Sequence, residues 1–123
     1  MKSHPKQGEI YWADLEPTQG RETKGVRPVL VLSRDELNCL PLTILIMVGS
    51  GAEHYPRCYP TDLRVTAAES GLPKDTVFLG VQIRSVDPKR LSKRAGQLPA
   101  HRLPEAFDAL RLVIGDDRQL AES

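Results

Sequence analysis

The chain has 123 residues, the length of one compact domain with no room for a second. Its 17 Lys+Arg against 16 Asp+Glu leave a formal net charge of +1, so total charge neither marks nor excludes a nucleic-acid partner. At 40% hydrophobic and 27% charged residues the composition is that of an ordinary globular domain, which excludes a disordered, collagen-like or disulfide-dense chain.

The longest unbroken apolar run, Ile44 to Val48, is far short of the roughly 20 residues that span a bilayer. Met1 to Lys6 has no apolar segment behind it, so neither a membrane anchor nor a secretory signal is expected and the expected location is cytoplasmic. Cys39 and Cys58 stand outside any CxxC or Cys/His spacing, which argues for free thiols and against a zinc site.

Residues Gly8 to Asp14 place Ile10 and Trp12 on one face and Tyr11 and Ala13 on the other, which predicts a first strand. The polar segment Glu16 to Val26, with Gly20 and Gly25, predicts a mobile surface loop. Arg27-Pro28 then introduces Val29 to Leu32, a strand buried on both faces, with Pro28 confined to its beginning or edge. A third run, Thr43 to Val48, is expected to stop at Gly49-Ser50-Gly51, and Tyr59 to Thr66 predicts a fourth strand with Leu63 and Val65 on one face. Thr76 to Val86 predicts one long bent strand or two consecutive ones, with the bend at Gly80. Leu103, Ala106, Phe107, Leu110, Val113 and Ile114 recur at helical spacing, with Pro104 suited to N1 and Gly115 to C′. The tail 116–123 has little to bury and is expected to fray.

Charge is uneven along this scaffold. Between Arg84 and Arg102 the bases are Arg84, Lys89, Arg90, Lys93, Arg94 and Arg102, and Asp87 is the only acid. That stretch is either a phosphate-tracking patch or a solvated turn paired with acids such as Glu105, Asp108, Asp116 and Asp117. Aromatic residues are only 5% of the chain, so an RNA contact would rest on arginine and polar groups more than on base stacking. His4, His54 and His101 match no metal or nuclease spacing; His54, after the glycine pair, is the one held as a candidate proton donor. No P-loop, Rossmann or GxSxG pattern is present. Arg27, at a strand start behind a glycine-containing loop, has the side chain that grips a phosphate at two points.

Three ordered blocks carry a family resemblance. They are Gly8-Glu9-Ile10-Tyr11-Trp12-Ala13-Asp14-Leu15 with Pro17; Gly20-x-Glu22-x-x-Gly25-x-Arg27-Pro28-Val29-Leu30-Val31-Leu32; and Gln82-Ile83-Arg84-Ser85-Val86-Asp87 with Arg90-Leu91. Over about residues 7 to 114 the sequence resembles the MazF/PemK/Kid toxins of bacterial toxin–antitoxin pairs. The resemblance implies a mainly β domain with a C-terminal α-helix, its small twisted antiparallel sheet barrel-like in the MazF/CcdB or SH3 manner, assembled as a homodimer. It also implies a cofactor-free, metal-independent endoribonuclease that cuts single-stranded RNA at short sequences, leaves a 2′,3′-cyclic phosphate and a 5′-hydroxyl, and is blocked by a MazE-like antitoxin. Carried over by position, the catalytic set is Arg27, Glu22 and Ser50, with Ser50 standing where the family has threonine. Gln19, Gly20 and Lys24 of the loop, with Gln82 and Arg84, are the expected RNA contacts, and Glu22 and His54 are alternatives for proton transfer. Glu22 has a second reading, as a positioning partner of Arg27 or Lys24; Gln82 has one, as a side chain that satisfies buried backbone groups; and Arg84 has one, as a partner of an acid such as Asp87. A gyrase-poisoning toxin of the CcdB type and a catalytically weak, antitoxin-binding homologue are the competing functions.

Overall fold

The computed structural model describes residues 4–16, 19–22 and 25–116. In chain order they form β1 (Glu9–Asp14), β2 (Val26–Val31), the single-turn helix α1 (Asp35–Asn38), β3 (Ile44–Gly51), β4 (Asp62–Val65), α2 (Ala67–Ser70), β5 (Thr76–Val86), β6 (Leu91–Gln97) and the helix α3 (Leu103–Ile114). The strands make one antiparallel sheet in the order β4-β5-β3-β2-β1-β6. No helix among the described residues is long and apolar enough to cross a membrane.

Alternation along β2 explains the two-sided core. Leu30 and Leu32 join Ile10, Met47, Phe78 and Leu98 under the Ala106–Ala109 face of α3, while Val29 and Val31 join Ala13, Leu15, Ile44, Ile46 and Val48 on the opposite face. The doubly buried reading of Val29 to Leu32 therefore holds, in an antiparallel sheet covered on both sides.

Several expectations are corrected. β3 does not stop at Gly49 but runs on through Ser50 to Gly51. Thr76 to Val86 is one strand, and its irregularity is where expected: as β3 advances from Met47 to Gly49, β5 passes from Ile83 to Phe78, so the residues around Gly80 bulge out of the ladder. A Cβ at Gly80 would collide with the carbonyl of Thr61, which explains glycine there. The basic stretch after Asp87 contains the strand β6, paired with β1 at the end of the sheet. In α3, Ala106 and Ala109 are buried, but Val113 and Ile114 are exposed, although a Val113 methyl still reaches Gly80 of β5. Pro104 occupies the first turn of α3, and Gly115 closes the helix at φ +79°, in the left-handed region. The expected fraying beyond Asp116 lies outside the described residues.

Candidate active site

The β2–β3 ladder begins at Val29↔Val48 and continues inward through Leu30↔Met47 and Val31↔Ile46. Two residues outward on each strand, on the same side of the ladder, Arg27 meets Ser50. Arg27 Nη1 donates to Ser50 Oγ at 3.5 Å. Ser50 is only 5% exposed, whereas Arg27 is half-buried. Pro28, which has no N–H, pairs with Trp12 on β1 at a level where β3 no longer pairs with β2, so no ladder bond is forfeited. The pair opens into a cleft of about 230 Å³ walled by Trp12, Pro28, Gly51, Leu72, Lys74 and Thr76 among others.

Gly49, beside Ser50, is there for close packing. A Cβ on Gly49 would lie 2.8 Å from the Phe78 ring and 2.9 Å from the Thr76 methyl. One on Gly51 would meet only the Glu53 carboxylate, the far end of an exposed side chain that can swing aside. Ser50 therefore sits on a paired strand, opposite Val77, and not on a pliant loop.

A second group forms where the β1–β2 connection reaches β5. Gln82 Nε2 donates to the Arg21 carbonyl at 3.3 Å, and Arg84 Nη1 stands 3.4 Å from Glu22 Oε2. Arg84 is thus the described partner of Glu22, and Asp87 is engaged in capping the Lys89 amide at 2.9 Å. The turn carrying Glu22 closes through its amide onto the Gln19 carbonyl at 3.2 Å, with Gly20 at φ +61°. Gln19 and Gly20 are exposed on this turn, and Lys24 lies outside the described residues.

The neck of the same connection is pinned by the Leu15 amide on the Gly25 carbonyl at 3.0 Å. Arg90 Nη1 clamps it further, donating to the carbonyls of Glu16 at 2.6 Å and Asp14 at 3.3 Å. Arg90→Ala is expected to leave the fold intact but speed hydrogen exchange at the Leu15 amide by roughly tenfold, the equivalent of about 1.4 kcal/mol of lost local protection. Unchanged exchange would show that the clamp is idle.

His54 lies on the helical turn Ala52–His54 just after β3, well exposed and outside the cleft lining. Its Nε2 is 3.4 Å from Glu53 Oε1, and the same oxygen accepts from Lys74 Nζ at 2.6 Å. The hydrogen bond from Lys74 holds the Glu53 carboxyl below the usual carboxylate range.

The fold disperses the basic stretch. Arg84 and Arg90 meet the β1–β2 connection, but Arg94 pairs with Glu9 at 3.2 Å and Arg102 with Glu69 at 3.0 Å and with Glu105. A single continuous phosphate track from Arg84 to Arg102 is therefore not formed. Sequence reasoning missed Trp12, Lys74 and Thr76 as cleft residues; only the register across β2, β3 and β5 reveals them. Among the described residues no group of three His, Cys, Asp or Glu side chains could hold a metal ion.

The architecture has close counterparts among solved structures. MazF from Deinococcus radiodurans superposes with a TM-score of 0.78 at 26% identity, covering 93% of this chain and 99% of that one. The Mycobacterium tuberculosis toxin MazF-mt6 shares the fold at TM-score 0.71 and 21% identity, covering 87% and 96% of the two chains. An endoribonuclease in complex with its cognate antitoxin, from a mycobacterial species, does so at TM-score 0.72 and 18% identity over 90% and 95%. Residues 6–114 match the family described as PemK-like, MazF-like toxin of type II toxin-antitoxin system, and with the match spanning nearly the whole chain, this protein belongs to that family.

Proposed function

We propose that the protein is an endoribonuclease that cleaves single-stranded RNA by attack of a 2′-hydroxyl on the adjacent phosphorus. The O5′–phosphorus bond breaks, leaving a 2′,3′-cyclic phosphate and a 5′-hydroxyl; one proton leaves the 2′-oxygen and one reaches O5′. The observation that carries the reading is Arg27 Nη1 beside Ser50 Oγ in a walled cleft. The substrate supplies its own nucleophile, so the protein's tasks are to grip the phosphate, stabilise its developing charge and manage those protons. A guanidinium can donate two parallel hydrogen bonds to phosphate oxygens, and a hydroxyl at its side can donate a third. A guanidinium offers donors and no acceptor, so Arg27 is assigned charge stabilisation and not the role of base. Glu22, on its turn beside Arg84, and His54 are the two groups offered for proton transfer. Gln19, Gly20, Lys24, Gln82 and Arg84 are assigned to RNA contact. A homodimer that acts in the cytoplasm as a growth-arresting toxin, neutralised by a MazE-like antitoxin, completes the reading; MazE-MazF from Deinococcus radiodurans, similar at TM-score 0.70, supports the last element.

The test is to incubate purified protein with mixed-sequence RNA in EDTA, map the cuts and assay their ends. Cyclic phosphate at defined sites is expected, with no cleavage where the nucleotide 5′ to the cut is 2′-deoxy. A requirement for added magnesium would overturn the chemistry, and intact RNA despite tight antitoxin binding would make the chain a non-catalytic homologue. Glu22→Gln and His54→Gln then separate the two proton-transfer candidates by which one flattens the pH profile of cleavage.

A further inference from the structure

We propose that Lys74 is a further cationic contact for the RNA backbone, held on Glu53 in the free protein and transferred to a phosphate when RNA enters the cleft. The inference rests on the ribonuclease reading and extends its site to a residue outside the family-like sequence blocks.

Lys74 lies in the wall of the cleft that contains Arg27 and Ser50. Its backbone is fixed from several sides. Thr76 Oγ1 donates to the Lys74 carbonyl at 3.1 Å, while the next residue, Asp75, takes the Ala67 amide on its side chain at 2.8 Å and the Ala52 amide on its carbonyl at 2.9 Å. The ammonium, by contrast, is tied only loosely to the fold. Its 2.6 Å pair with Glu53 is solvent-exposed on both sides, with side chains 60% and 52% accessible. Such pairs contribute little in water because hydration competes for both charges, so exchanging the carboxylate for a phosphate carries a low barrier. Glu53 in turn packs against the Cα of Gly51, which directly follows Ser50, so the parked ammonium stays close to the cleft. A lysine on a fixed backbone with a movable head is suited to a phosphate neighbouring the one gripped by arginine, where a point charge suffices and two-point geometry is not needed.

The reading makes opposite predictions for the two members of the pair. Binding is measured to a short mixed-sequence 2′-O-methyl RNA, which cannot undergo 2′-hydroxyl attack. Lys74→Ala is expected to weaken binding on the order of tenfold. It should also reduce the slope of log affinity against log salt by about 0.7, the share of one phosphate contact on a single strand. Lys74→Arg should restore most of both quantities. Glu53→Gln, which frees the ammonium and removes a negative charge from the rim, is expected to tighten binding about two- to threefold at low salt. If Lys74 merely braced Glu53, both substitutions would weaken binding or leave it unaltered, the melting temperature would fall in step, and the proposal would be overturned. Wild-type protein that binds no RNA would instead sink the ribonuclease reading itself. Wild-type binding with an unchanged Lys74→Ala salt slope removes only the role of Lys74.

Discussion

Arg27→Ala protein is expected to fold normally and to cleave RNA at least 10²–10³-fold more slowly than wild type, the usual loss when one donor to a developing oxyanion is deleted. Folding should survive because Arg27 is half-buried at the outer end of β2, beyond the last rung shared with β3, and the truncation opens no cavity in either face of the core. Arg27→Lys should recover little, since an ammonium keeps the charge but loses the fork that spans two phosphate oxygens. Ser50→Ala should cost less, about tenfold, because it removes one neutral hydroxyl donor. The measurement is single-turnover cleavage of a mapped substrate, alongside circular dichroism to verify the fold. Undiminished cleavage by folded Arg27→Ala protein would remove the central assignment.

Gly49→Ala should cost about 1–3 kcal/mol of stability for a single added methyl group beside the active-site serine. The new Cβ would approach the Phe78 ring at 2.8 Å and the Thr76 methyl at 2.9 Å, and both side chains are buried, with no solvent gap to move into. Phe78 must tilt or β3 must lift, and lifting β3 carries Ser50 with it. Thermal unfolding checks the first consequence and cleavage rate at low temperature the second. A variant with wild-type melting temperature would show that the ring gives way at no cost.

These glycines also show where a sequence can be read and where it misleads. Val29 to Leu32 was legible because alternation and branching are local properties, and Arg27-Pro28 was legible because a proline has few places in a sheet. Gly49-Ser50-Gly51 reads as a stop in sequence, since glycine serves equally for freedom and for close approach, and Phe78, the neighbour that decides the matter at Gly49, is remote in sequence. Leu91 to Gln97 carries little apolar alternation because β6 is an outermost strand, with Lys93 and Arg94 exposed as edge charges. The destinations of Arg94 and Arg102 depend on Glu9 and Glu69, which only folding brings near. For the same reason Arg27 could be singled out from its local setting, but its meeting with Ser50 follows from strand register, which a one-residue slip would abolish.

The sheet order places β3 between β2 and β5, and this arrangement bears on when the Arg27–Ser50 cleft can form as the chain is made. A growing chain that has emerged from the ribosome only as far as Gly51 already contains Arg27 and Ser50, yet it lacks the strand that supports the far side of β3. The ladder from Ile44↔Val86 to Gly51↔Thr76 cannot close until residue 86 is free. Long-range pairings of this kind form late because the loop must be closed before any rung repays it. The cleft is therefore not assembled until the first residues of β5 are free, so truncated products ending before β5 should be inert even though they carry the arginine and the serine.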